Sequence, residues 1–250
     1  MKPNYFDKTI DFCRINVKFV TRTFPAENVM ESEFFIFDHI DIDISQDEVL
    51  AELGYPSSNS ATARFRKRLK LELDKDMPLI EPKGAYLLVD AEKTALAPFV
   101  HPGKMVLALA TAGKPIGDRA AKLVKSKLAA SGSIADAIGT IAAEKTADFI
   151  ESEIRREFTA KGCRISRRFA PGHCNWGIQD QMPLLSCFPD TLGISLTQSC
   201  LMVPEKSLSF LCLINNTGDF NWVKLGNCRH CDSLNCTYRQ HRLCDDFQSK

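Results

Sequence analysis

The chain has 250 residues, of which 44% are hydrophobic and 25% charged, and its 32 Lys and Arg nearly balance 31 Asp and Glu. That composition belongs to a globular chain with a core large enough to need no disulfides, and the balance argues against a dedicated nucleic-acid binder. No apolar run reaches the roughly 18 residues of a membrane span, and the N-terminus lacks the apolar segment of a secretory signal.

Residues 1–29 carry scattered charges and no clear period, and read as an N-terminal extension. Texture changes at Met30, which is an alternative start. Phe35, Phe37, His39, Ile40, Ile42 and Ile44 alternate in part, as a strand does. Ser45 and Glu48 have the spacing of a capping box, and Gly54 followed by Pro56 ends the short helix they open. Ser60 to Leu73 reads as a basic amphipathic helix, with Phe65, Leu69 and Leu73 at four-residue spacing among Arg64, Arg66, Lys67, Arg68 and Lys70. Its charge fits either a solvated face or an anionic partner.

Gly84–Val89 and Met105–Ala110 are short, continuously apolar runs between turn residues, as buried strands are. The pattern from Gly117 to Phe158 is helical. Gly132 is expected to divide it, with Ser133 as N-cap of an alanine-rich second helix that ends at Gly162. Ile134, Ile138, Ile141, Ile150, Ile154 and Phe158 form its apolar stripe, and Glu144 sits beside that stripe. Arg167 to Gly177 has no period and reads as a constrained loop in which Gly172 can take a positive φ. A short helix over Gln179–Phe188 and strands over Ile194–Ser199 and Leu208–Ile214 follow.

The ten cysteines read as reduced thiols of a cytoplasmic protein. Cys228, Cys231, Cys236 and Cys244 cluster in a polar tail, residues 226–250, and supply four thiolates for an iron–sulfur cluster or zinc. Cys13, Cys163, Cys187, Cys200 and Cys212 are isolated and read as packing residues. Fingerprints of Rossmann dehydrogenases, P-loop nucleotidases, α/β-hydrolases and zincins are absent from the sequence.

Two segments carry a resemblance. Arg168-x-Ala170-Pro171-Gly172-His173 is followed by Leu196-Thr197-Gln198-Ser199-x-x-Met202-x-Pro204 and Ser207-x-Ser209. In this order and spacing they resemble the activation domain of cobalamin-dependent methionine synthase, whose R-x-x-P-G-Y loop binds S-adenosylmethionine and precedes an L-T-E-S-x-x-M-x-P strand. Ile141–Asp148 is similar to the family's preceding helix with its A-E pair, and Glu48–Tyr55 resembles small free-standing relatives. The resemblance spans about residues 40–215, within a domain placed at 30–225.

The resemblance implies an α+β fold with a curved, mostly antiparallel sheet flanked by helices. It implies that Arg168 binds the ligand's carboxylate, that Ala170 and Gly172 present backbone groups, and that His173 and Glu144 add polar contacts. The family's Tyr is here His173, and its Glu is Gln198. The implied activity is reductive methylation of the cobalamin of a separate corrinoid methyltransferase, because this chain has no D-x-H-x-x-G corrinoid motif. A flavodoxin-like or other reductant is an expected partner; nucleic acid and membrane are not. Two other readings stand beside it: a corrinoid-protein docking module without methylation, and an iron–sulfur electron carrier to a corrinoid protein.

Overall fold

A computed structural model describes residues 17–19, 33–55, 62–96, 103–173, 176–218 and 220. Its centre is an antiparallel six-stranded sheet in the order β1-β2-β3-β4-β8-β5: β1 Val17–Phe19, β2 Phe34–Phe37, β3 Lys83–Asp90, β4 Lys104–Thr111, β5 Arg164–Ile165 and β8 Ser207–Asn215. The two apolar runs of the middle sequence are the core strands. Every β4 residue from Met105 to Thr111 is buried, because both faces of the sheet are covered. Strand β1 comes from within residues 1–29 and pairs with β2 in the register Val17↔Phe37.

Among the described residues, five α-helices accompany the sheet: α1 Gln46–Glu52, α2 Ala63–Asp76, α3 Lys114–Lys125, α4 Ala129–Ala160 and α5 Gln181–Ser186. Helix α4, 32 residues and about 48 Å at 1.5 Å per residue, organises the molecule. Its second half lays Ala147, Ile150, Ile154 and Phe158 on Tyr86, Val106, Ala108, Phe210 and Cys212 of the sheet. Gly84 permits that close approach, since a Cβ there would lie 2.4 Å from Ile150 Cδ1. Its first half packs Ile134, Ile138 and Ala142 against α1, α2 and α3. The opposite sheet face is covered by Trp176, Leu184, Leu185, Phe188 and Ile194.

Local signals explain the helix ends. Ser45 Oγ accepts from Glu48 N–H at 3.2 Å while the Glu48 carboxylate accepts from Ser45 N–H at 2.8 Å, the expected capping box. Gly54 (φ +82°) and Gly162 (φ +78°) end α1 and α4 in the left-handed region. There Tyr55 N–H donates to Leu50 and Cys163 N–H to Phe158, six-to-one closures of the Schellman type.

Four elements differ from the sequence expectation. The strand expected from the Phe35–Ile44 alternation ends at Phe37 as β2, and Ile40 and Ile44 are buried outside any strand. The basic helix begins at Ala63, capped by the Thr62 hydroxyl, and runs to Asp76 rather than Leu73. The break between α3 and α4 falls at Ser126–Leu128, not at Gly132. Lys127 takes the left-handed conformation (φ 61°) and Leu128 N–H bonds Leu123, so a lysine does the work usually signalled by glycine. Gly132 lies in the first turn of α4, where a Cβ would stand 2.7 Å from Val124 Cγ2, and Ser133 caps nothing. Ile194–Ser199 is not one strand. Ser195–Leu196 (β6) and Met202–Val203 (β7) form a two-residue ladder around a turn closed by Thr197 N–H to Leu201, with Cys200 at φ 62°.

Candidate functional site

Strand β5 and the segment after it return the chain across α4, and residues 166–173 run between α4 and β8. Paired hydrogen bonds between Phe169 and Leu211, 2.9 and 2.8 Å, fix the loop to the sheet. Successive turns then fold it back: His173 N–H to Ala170 at 3.1 Å, Trp176 N–H to His173 at 3.1 Å and Gly172 N–H to Trp176 at 2.8 Å. Gly172 has φ +83°, as its place in the motif predicts, and a Cβ would meet Ile178 at 2.9 Å. Trp176 is buried and donates from Nε1 to Asp180 at 2.6 Å.

This geometry places Arg168 over Phe210, 5.4 Å from guanidinium to ring centre, and against one stripe of α4. Its Nη2 donates to Asp148 Oδ1 at 2.8 Å, its Nε lies 2.9 Å from Glu151 Oε2, and Glu144 Oε2 is 3.7 Å away. Glu144, Asp148 and Glu151 recur at i, i+4 and i+7, so one helix face supplies all three. Arg155, one turn further, holds Glu151 at 2.7 Å and donates to the Ser166 carbonyl at 2.9 Å, tying the loop's start to the helix. Three carboxylates against two guanidiniums leave this cluster one negative charge. Cys212 lies beneath it, fully buried, and desolvation first, then the Glu151 charge, push its thiol far above the ordinary range.

His173 stands at the loop tip as an exposed residue. Loss of hydration first, then the nearby Arg168 charge, hold its pKa below the ordinary histidine value.

The fold therefore unites Arg168, Glu144 and His173, residues singled out from sequence. The backbone groups of Ala170 and Gly172 are used within the loop: the Gly172 N–H is committed to Trp176, while the Ala170 carbonyl, which accepts from His173, keeps a second lone pair. Gln198 lies apart, exposed in the β6–β7 turn, and Met202 is in the core beneath the other sheet face. Asp148, Glu151 and Arg155 were not singled out from sequence. Their helical spacing with Glu144, which puts them along one face of α4, was the available signal.

Among the described residues no group of three or more His, Cys, Asp or Glu side chains has the arrangement of a metal site. Cys228, Cys231, Cys236 and Cys244 lie outside the described residues, as do Cys13 and Cys174. Cys163, Cys187, Cys200 and Cys212 are free thiols, the last two buried. No helix among the described residues is long and apolar enough to cross a membrane.

No protein-family model matches the chain, and no curated protein matches it. Among solved structures, one described as the MetH reactivation domain bound to AdoHcy aligns at 16% identity over 66% of this chain and 71% of that chain, with a TM-score of 0.49.

Proposed function

We propose that this chain binds S-adenosylmethionine where the 168–173 loop meets α4. In this reading it serves the reductive methylation of cobalamin carried by a separate corrinoid methyltransferase such as methionine synthase. The observation that carries the reading is the meeting of Arg168 with Glu144. They belong to the two segments, loop and A-E helix, whose resemblance to the activation domain was legible in sequence, and folding joins them in one half-exposed cluster.

The charge of the cluster supports it. S-adenosylmethionine carries a sulfonium, an ammonium and one carboxylate, a net positive charge, and the cluster carries a net negative one. Arg168 offers the carboxylate a charge-assisted partner, and Glu144 or Asp148 offers the ammonium one. Because Arg168 already holds carboxylates of α4, the ligand's carboxylate enters by exchange, with its ammonium compensating the acid displaced. The corrinoid is a substrate: one electron from a flavodoxin-like or other reductant and the sulfonium methyl convert cob(II)alamin to methylcobalamin, releasing S-adenosylhomocysteine. The residues of this chain contribute orientation of the methyl group and exclusion of water.

Calorimetric titration of the full chain with S-adenosylmethionine and S-adenosylhomocysteine tests the reading. It predicts tighter binding of the cationic ligand, with the difference shrinking as salt is raised. A docking role without methylation is the second reading, favoured by the commitment of the Gly172 N–H within the loop. It predicts no binding heat with either ligand. We also propose that Cys228, Cys231, Cys236 and Cys244 hold one metal centre, an iron–sulfur cluster or zinc. Elemental analysis after anaerobic purification decides this, and four freely titrating thiols on metal-free protein would overturn it.

A further inference from the structure

Helix α2 sorts its charges by side. Its acids Glu72 and Asp76 are buried and face Arg119 of α3, while Arg64, Arg68 and Lys75 are exposed. Those three cations fall with Leu71 at i, i+4, i+7 and i+11, one stripe of the helix. Arg68 donates to Ser131 Oγ at 2.9 Å, which sets that stripe beside the start of α4 and the α3–α4 turn. The turn projects: from Ala121 to Ala130 every residue but Leu123 is exposed. Lys122, Lys125 and Lys127 are clustered there, at the negative end of the α3 dipole.

The same surface exposes apolar side chains. Leu71, Val124 and Leu128 are 52%, 58% and 51% exposed, half of the large exposed hydrophobics among the described residues. Asp74 is the single exposed acid of α2. The surface is distant from the Arg168 cluster, since Ala129 and Glu144 are about 22 Å apart along α4.

We propose that the α3–α4 turn and the adjoining stripe of α2 dock reversibly on an anionic phospholipid surface. Six cations complement a negative surface. Three aliphatic side chains on a projecting turn can enter the interface while the lysines extend to headgroups. A protein partner fits less well: protein interfaces are depleted in lysine and rich in aromatic anchors, and this surface is lysine-rich without an aromatic. The absence of a spanning segment, which gave the expectation of no membrane partner, does not bear on peripheral docking.

Sedimentation of the full chain with vesicles tests the proposal, using phosphatidylcholine alone and an equimolar mixture with phosphatidylserine. The chain is expected to partition at least about tenfold more strongly onto the anionic vesicles, and less so as salt rises. One lysine near such a surface contributes about 1 kcal/mol, or fivefold. Lys125→Gln combined with Lys127→Asn, which tolerates the left-handed conformation, should therefore lose about 25-fold. Leu128→Ser should weaken binding at unchanged net charge, and Arg156→Gln, at the far end of α4, should not. Equal binding to both vesicles, no binding, or a double variant that binds like the parent would overturn the proposal. Retention on immobilised polyglutamate without vesicle binding would overturn it in favour of an acidic protein.

Discussion

Carboxylates outnumber the guanidiniums they face in two places, and the two clusters differ in their access to water. Between α2 and α3, Glu72 and Asp76 share Arg119. The Asp76 side chain is wholly buried, and Asp76 Oδ2 and Glu72 Oε2 have no hydrogen-bond partner. Between α4 and the 168–173 loop, Glu144, Asp148 and Glu151 share Arg168, and these side chains retain between 18 and 37% of their exposure. A buried carboxylate cannot exchange its partner for water without opening the helix interface, so the first cluster fixes how α2, α3 and α4 pack. A half-exposed carboxylate can exchange its partner at small cost, so the second can admit a ligand.

The contrast gives Arg119→Ala the largest expected effect on stability. It leaves Glu72 with Lys75 at 3.8 Å and the Ser131 hydroxyl at 3.0 Å, removes the guanidinium that Asp76 pairs with, and should cost about 3–5 kcal/mol in chemical denaturation. A loss below about 1 kcal/mol would show that water reaches this interface and would erase the distinction.

Acid titration sharpens it. Burial above all, against the opposing Arg119 hydrogen bond, raises the Asp76 pKa above its ordinary 3.8. A carboxyl raised in the folded state contributes stability that is complete below pH 3.8 and is lost as pH rises through the folded-state value. Asp76→Asn, which cannot ionise, should therefore gain on the parent as pH rises from about 3.8 towards neutrality. If the variant instead loses ground over that range, the carboxylate is held by its pairing with Arg119. The smallest effect belongs to the exposed side of the comparison: Asp148→Asn, at a side chain 37% exposed, should change stability by less than about 1 kcal/mol although it breaks a 2.8 Å ion pair.

What was legible in the sequence was local. The Ser45–Glu48 box, the stops at Gly54 and Gly162 and the two core strands each depend on residues within a few positions of one another. The α3–α4 break was not legible, because Lys127 adopts a conformation that glycine usually announces, and Gly132 is needed for helix contact rather than for a turn. Arg168 and Glu144 could be singled out by motif. Asp148 and Glu151 could not, since they gain their meaning only when the loop crosses α4. Gln198 shows the converse: it stands in a motif that reads as a strand, yet the left-handed Cys200 turns the chain and leaves it in solvent.

The central claim is that Arg168 anchors a zwitterionic, cationic ligand. Its neighbour Arg167 packs over the Phe169 ring, 5.1 Å from guanidinium to centre, whereas Arg168 makes the ion pairs to Asp148 and Glu151 of α4. Calorimetric titration with S-adenosylmethionine should therefore show Arg168→Ala losing about 1.5–3 kcal/mol of binding, roughly ten- to a hundredfold, while Arg167→Ala binds close to the parent. Equal losses from the two substitutions, or no binding heat with the parent protein, would contradict the account.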